Sequence, residues 1–276
     1  MEILGYLASL LIGLSLGLIG GGGSILTLPV LVYLFGVSPT LATAYSLFIV
    51  GAASLVGAWP KHKEGLINYK TALVFGIPSI AAVFITRKFI LPAIPESLFS
   101  IGTFPITKDL LLMVLFAILM VAASMSMIRD GKPAKQATSA PQQFNYPLIL
   151  LEGAVVGVLT GLVGAGGGFL IIPALVVLSK LPMKQAVGTS LLIIAAKSLI
   201  GFTGDLMSGK AMDWTLLGSV TLIAIAGIFL GNALSRRIDG AALKKGFGWF
   251  VLIMGSYILL KEISNTFALG LLPGGA

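Results

Sequence analysis

With 276 residues, 57% of them hydrophobic and only 10% charged, and a mean hydropathy of +1.04, the chain has too little polar surface to cover a water-soluble globule. The absence of cysteine excludes disulfides, thiolate metal sites and thiol nucleophiles, and one histidine with ten acids, mostly near loops, gives no reason to expect a metal centre or cofactor. The net charge of +8 sits in short connections between apolar runs, which points to membrane topology rather than nucleic acid.

The expected fold is an all-α, polytopic membrane protein. Residues 3–19, 40–58, 70–86, 108–128, 147–163, 184–203, 214–235 and 246–263 each supply the roughly 17–25 apolar residues that a crossing helix needs. The first run lacks a basic leader and a small-residue cleavage site, so it is read as a mature helix, not a secretory signal. Two shorter runs, 24–36 and 168–179, suit half-helices or tilted, broken spans.

Those short runs follow a stretch that the chain writes twice. Gly20-Gly21-Gly22-Gly23-Ser24-Ile25 leads to Pro29, and 144 residues later Gly164-Ala165-Gly166-Gly167-Gly168-Phe169 leads to Pro173. The same offset aligns Gly13 with Gly157, Gly17 with Gly161, Leu31 with Leu175, Ala42 with Ala186, Ser46 with Ser190 and Gly65 with Gly209. An internal duplication is the simplest explanation. It divides the chain into a first transmembrane repeat at 1–128, a cytoplasmic linker at 129–146 and a second repeat at 147–276. Five apolar segments per repeat is an odd number, so the second repeat enters from the opposite side, as in many secondary transporters. Loop charge agrees: with all ten segments crossing, twelve of the 18 basic residues fall inside and five outside, Lys197 alone lying in a span. If the short runs dipped in and returned, the split would fall to nine against eight.

Consecutive glycines break a helix at about 1 kcal/mol each relative to alanine. Within a bilayer such a break is tolerable only where protein buries it or water reaches it. A new helix starting there, with Ser24 placed to cap it in the first repeat, offers free N–H groups and a positive dipole end to an anion. The substrate-lining candidates are therefore Gly20, Gly21, Gly22, Gly23, Ser24 and Ile25, and Gly164, Gly166, Gly167, Gly168 and Phe169. Gly13-x-x-x-Gly17 and Gly157-x-x-x-Gly161 read instead as close helix packing. Neither cluster precedes Gly-Lys-Ser/Thr, so no nucleotide P-loop is present.

Tyr45 and Ser46 in one repeat and Thr189 and Ser190 in the other are hydroxyls at corresponding heights, able to donate to an oxyanion or to bond back to their own helices. Lys197 lies deep in an apolar span, where a charge costs about 2.5–3.5 kcal/mol and calls for a partner or a cavity. An anion or Glu152 could answer it, or the side chain could snorkel toward an interface. His62, Asp205 and Asp213 fall at span ends and read as solvated or interfacial rather than proton-carrying, and Arg87 falls in the outer connection 87–107.

These elements resemble the sulfite exporter TauE/SafE family of membrane permeases. The likeness is carried by Gly-x-x-Gly-x-Gly-Gly with its following proline-leucine helix at Gly17–Leu31 and Gly161–Leu175, by Ala42–Ser46 and Ala186–Ser190, and by Gly209–Trp214 echoed in Gly65–Tyr69. The resemblance implies secondary transport of small anions across the cell membrane, with sulfite and organosulfonates such as sulfoacetate as cargo, often exported. The other readings are a transporter or channel for another small anion such as a carboxylate, or an intramembrane enzyme. The last lacks paired acids or a nucleophile with a base. A coupling proton or cation and a homodimer stay open; the expected partners are the small anion and the lipid bilayer, not nucleic acid.

Overall fold

A computed structural model describes residues 2–101, 104–129, 146–177, 181–209, 211–235 and 240–271. The linker expected at 129–146 falls almost wholly outside these residues. The architecture is helical: α1 Glu2–Ile19, a 3-10 segment Gly20–Leu26, α2 Thr27–Tyr33, α3 Pro39–Lys63, α4 Tyr69–Ile85, α5 Leu91–Ala93, α6 Lys108–Arg129, α7 Tyr146–Val163, α8 Gly168–Val177, α9 Met183–Leu206, α10 Trp214–Ser235 and α11 Gly240–Leu271. Among the described residues, five helical spans are long and apolar enough to cross a membrane by length and composition, with α1 and α7 among the shorter apolar helices.

The connection 87–107 carries regular structure. Thr86–Ile90 forms a π-helical turn, α5 follows, and β1 Ser97–Ile101 pairs antiparallel with β2 Phe104–Thr107. Pro105 is accommodated because both strands of a two-stranded ribbon are edges.

Glycines set the helix directions by letting backbones touch. A Cβ on Gly13 would lie 1.8 Å from Ala224 O and one on Gly17 2.4 Å from Ile228 O, so α1 and α10 pack closely and run parallel. Gly153, Gly157 and Gly161 face Phe75, Ser79 and Thr86 in turn, making α7 parallel to the strand of chain that runs from α4 into the π-turn. These are the small-xxx-small contacts expected of Gly13, Gly17, Gly157 and Gly161, and Gly153 extends the α7 row. In contrast Gly51 faces Leu199 and Gly57 faces Leu191, so α3 and α9 cross antiparallel through the centre. Gly201 against Val83 and Gly204 against Arg87 align α9 with α4, while Gly57 against Ile228 and the bond between Tyr45 and Asp213 align α3 with α10.

Helices α1, α3 and α10 therefore share one direction and α4, α7 and α9 the other. Because α1 and α3 point the same way, Gly20–Tyr33 has to carry the chain back to the side on which it began; seven 3-10 and seven α residues reach roughly 24 Å. Likewise α8 carries the chain back between α7 and α9. The central helices α3 and α9, equivalent under the 144-residue offset, run in opposite directions.

The polarity of the assembly is inside out relative to a soluble protein. Leu4, Leu7, Leu11, Leu73, Ile77, Leu222 and Leu230 are exposed, while Ser46, Ser54, Arg87, Thr189 and Lys197 are fully buried. Trp59, Tyr69 and Trp214 stand exposed at helix ends, where aromatic rings meet a membrane surface.

Candidate functional site

The two glycine clusters meet at the centre. Cβ atoms built on Gly21 and Gly168 would lie 2.4 Å and 2.1 Å from the opposite residue's Cα, so the two backbones touch with no room for a side chain. Their internal structures differ. The first cluster ends α1 at Ile19 and turns the chain back, but without an irregular loop: only Gly20 is left-handed, with φ of 73°, and Gly20–Leu26, including Gly22 and Gly23, winds as 3-10 helix. Ser24 does not cap α2, contrary to the expectation. Its hydroxyl donates to Gly21 O at 2.8 Å, three residues back, which serves a 3-10 turn. Ile25 is buried in the apolar core.

The second cluster is a true interruption. The Gly164 N–H closes α7 on Thr160 O at 2.8 Å, after which Gly164, Gly166 and Gly167 all take left-handed φ, at 73°, 62° and 67°. An L side chain at each would add about 1–2 kcal/mol of strain. The ladder of α8 then starts from Gly167 O, which accepts from the N–H groups of Leu170 and Ile171, both at 3.0 Å. The N–H groups of Gly168 and Phe169 precede that ladder at the positive end of the helix.

Lys197 stands at this second interruption. It is 0% exposed, its Nζ donates to Thr160 Oγ1 at 3.0 Å, and it lies 2.8 Å from where a Gly167 Cβ would be. Among the described residues no carboxylate pairs with it. Glu152, the alternative partner considered from sequence, sits eight residues before Thr160 on α7, and the bond goes to the hydroxyl. Thr160 thus joins the site although its sequence position, as a lone hydroxyl in an apolar run, singled out nothing. Its repeat-one equivalent, Leu16, is equally buried.

The paired hydroxyls on α3 and α9 have mixed roles. Tyr45 Oη accepts from the Asp213 N–H, and Thr189 Oγ1 accepts from the Asn68 N–H at 2.9 Å. Those two bonds are equivalent within one residue under the duplication, and each ties a central helix to a loop of the other half. Ser190 bonds back to Val187 O at 2.8 Å, whereas the buried Ser46 hydroxyl has no partner among the described residues. Of the four, Ser46 is the one whose hydroxyl neither donates nor accepts among the described residues.

Two groups expected at solvated positions are buried together. Arg87 and Asp205 are 0% and 1% exposed and form an ion pair at 3.4 Å, and Arg87 Nη1 also donates to Thr43 Oγ1 at 2.9 Å. Hydropathy places them at span ends, but the π-turn folds Arg87 inward against α9 and α3. His62, in contrast, is exposed and bonds Tyr69 through its ring nitrogen.

Residues 5–258 match the family described as sulfite exporter TauE/SafE. A protein of Xylella fastidiosa strain 9a5c named "Probable membrane transporter protein" is 31% identical over 94% of this chain and 95% of its own length. A Haemophilus influenzae protein with the same name is 25% identical over 94% and 98%, and the Bacillus subtilis protein YunE, "Probable membrane transporter protein", is 26% identical over 89% and 93%. No solved structure matches the chain.

Proposed function

We propose, from the premise that this chain belongs to the TauE/SafE sulfite exporter family and is a multi-pass cell-membrane transporter, that its cargo is a small sulfur oxyanion. Sulfite, sulfoacetate or a related organosulfonate would be held at the second glycine interruption and carried outward by alternating access between two inverted repeats. The observation that carries this reading is Lys197. A buried ammonium whose one hydrogen bond goes to a neutral hydroxyl, beside left-handed glycines and the N-terminus of α8, is a cation in search of an anion. The Gly168 and Phe169 N–H groups would meet the oxyanion's oxygens, Lys197 would balance its charge, and Ser46 would add a donor from α3. The antiparallel pair α3 and α9 supplies the rocking interface such a cycle needs.

We read the protein as a carrier rather than an enzyme. Lys197 and Thr160 offer binding groups, and the histidine that could act as a base is spent at an exposed helix end on Tyr69. Binding tests the proposal. Sulfite, sulfoacetate, taurine, sulfate, acetate and phosphate are compared for thermal stabilisation of the purified protein, with Lys197→Met as control. Stabilisation by sulfite or a sulfonate that disappears in the variant supports the reading. A response confined to acetate would move the cargo to carboxylates, and no response to any anion would remove the anion reading. Saturable counterflow in vesicles separates a carrier from a channel.

A further inference from the structure

The cluster around Arg87 does more than hold helices together. Its guanidinium is fully buried, yet only Nη1 is engaged, at 2.9 Å to Thr43 Oγ1 and 3.4 Å to Asp205. Nε and Nη2, the donors along one edge of the fork, have no partner among the described residues, and neither does the neighbouring Thr86 Oγ1. A settled arginine–carboxylate pair uses two nitrogens at about 2.7–2.9 Å. Here one nitrogen reaches both carboxylate oxygens at 3.4 Å. The pair is loose, and the better-shaped edge of the arginine is unused.

The cluster also adjoins the second interruption. Thr43, which accepts from Arg87, lies with its backbone against Gly164, where a Cβ would be 2.3 Å from Thr43 O, and Thr86 packs against Gly161. Arg87 thus flanks the entry of the glycine turn and Lys197 its exit.

We propose that Arg87 and Asp205 form a second oxyanion site whose resting occupant is the Asp205 carboxylate, and that a passing oxyanion takes the free edge of Arg87 only when Asp205 has bound a proton. The planar Nε/Nη2 edge matches two oxygens of a sulfonate or carboxylate. An anion beside an ionised Asp205 in this desolvated place would be repelled, so one proton must accompany it. Proton uptake at Asp205 leaves a neutral carboxylic acid, so a monovalent anion arriving with one proton brings no net charge and a dianion such as sulfoacetate brings one net negative charge. Among the described residues, these groups lie around the pair. Lys88, on the same turn as Arg87, lies over the rings of Phe84 and Phe89; Lys197 is two helical turns before Asp205 on α9; α3 presents Thr43 and α7 presents Gly161, neither of which titrates.

This inference rests on the anion-carrier reading, and its test separates the two. The protein is reconstituted in vesicles with sulfoacetate as probe, from about pH 6 to about pH 8, where both of its acid groups stay ionised and any proton moved is the protein's own. Sulfoacetate flux and luminal pH are recorded together. The expected result is one proton moved with each anion, and an apparent affinity that falls about tenfold per pH unit once Asp205 is ionised, as one linked proton requires. In Asp205→Asn, anion exchange persists without proton movement or pH dependence; in Arg87→Lys, anion flux falls by about 5–150-fold, the usual range of such couplings. The neutral double variant Arg87→Gln, Asp205→Asn keeps the packing with no buried charge and serves if either single variant fails to insert; it is expected to bind no faster at low pH than at high. Wild-type flux without proton movement, or Asp205→Asn or the double variant retaining the wild-type pH dependence, overturns the inference and leaves the carrier reading intact. No sulfoacetate flux in the wild type overturns both.

Discussion

Gly20 and Gly164 carry the same φ of 73°, 144 residues apart, and each packs against an equivalent residue of the other half, Gly20 on Val187 and Gly164 on Thr43. From there the two clusters diverge. Around the second stand Thr43, Arg87, Thr160 and Lys197; at the equivalent positions around the first stand Val187, Gly231, Leu16 and Ala53. The first cluster, wound as 3-10 helix among apolar neighbours, packs, whereas the second, opened by three left-handed glycines, stands among cations and hydroxyls and is the one proposed above to hold the anion. One spacing of glycines recurs, and the side chains around it differ.

The largest expected effect pits the matched glycines against each other. Gly164→Ala adds left-handed strain and drives its Cβ within 2.3 Å of the Thr43 backbone oxygen, for a loss of about 3 kcal/mol or more. Gly20→Ala meets only the tip of Val187 at 2.8 Å and should lose about 1–2 kcal/mol. The fraction of protein surviving a heating series in detergent measures both, and equal losses would erase the distinction. Next, Lys197→Met should cut anion affinity by about 1.5–3 kcal/mol while leaving thermal stability unchanged or raised, since a buried charge gives way to a thioether chain of similar length. Its mirror, Ala53→Lys, should destabilise by about 2.5–3.5 kcal/mol and confer no anion binding. Calorimetry and heating read the two sides of that exchange.

Thr160→Val removes the partner of the Lys197 ammonium and should weaken anion binding by about 0.5–1.5 kcal/mol, detectable as a shifted titration midpoint. Smallest of all, Ser24→Ala deletes a hydroxyl that only bonds back to Gly21, and should change stability by about 0.5 kcal/mol or less with vesicle flux untouched. A drop in flux there would bring the first cluster into contact with the cargo and end the division of labour.

Much of this was legible in the residues themselves. Glycine density and spacing located both clusters, because only glycine tolerates the left-handed turns and the backbone contact of Gly21 with Gly168. Lys197 announced itself by charge within an apolar span, and the small-residue pairs on α1 and α7 predicted their tight helix contacts. What composition could not distinguish was how the chain is wound after each break, since Ser24 is a good cap on paper and a good 3-10 back-bonder in fact. Nor could it bring Arg87 and Asp205 together. Hydropathy assigns a charged residue at a span end to water, but the pairing depends on a π-turn that rotates one residue inward and on a helix 118 positions away. Tyr45 and Thr189 read as cargo donors for the same reason: their loop partners, Asp213 and Asn68, are distant in the chain.

Those last two bonds have a mechanical meaning. Tyr45 and Thr189 each lie near the beginning of a central helix, and the two helices point opposite ways, so one fastening sits at each end of the molecule. Parting one costs a single hydrogen bond and leaves the other closed. In the alternating-access cycle proposed above, the two would act as a bolt on each door of an airlock, with the leak rate set by how seldom both are drawn together.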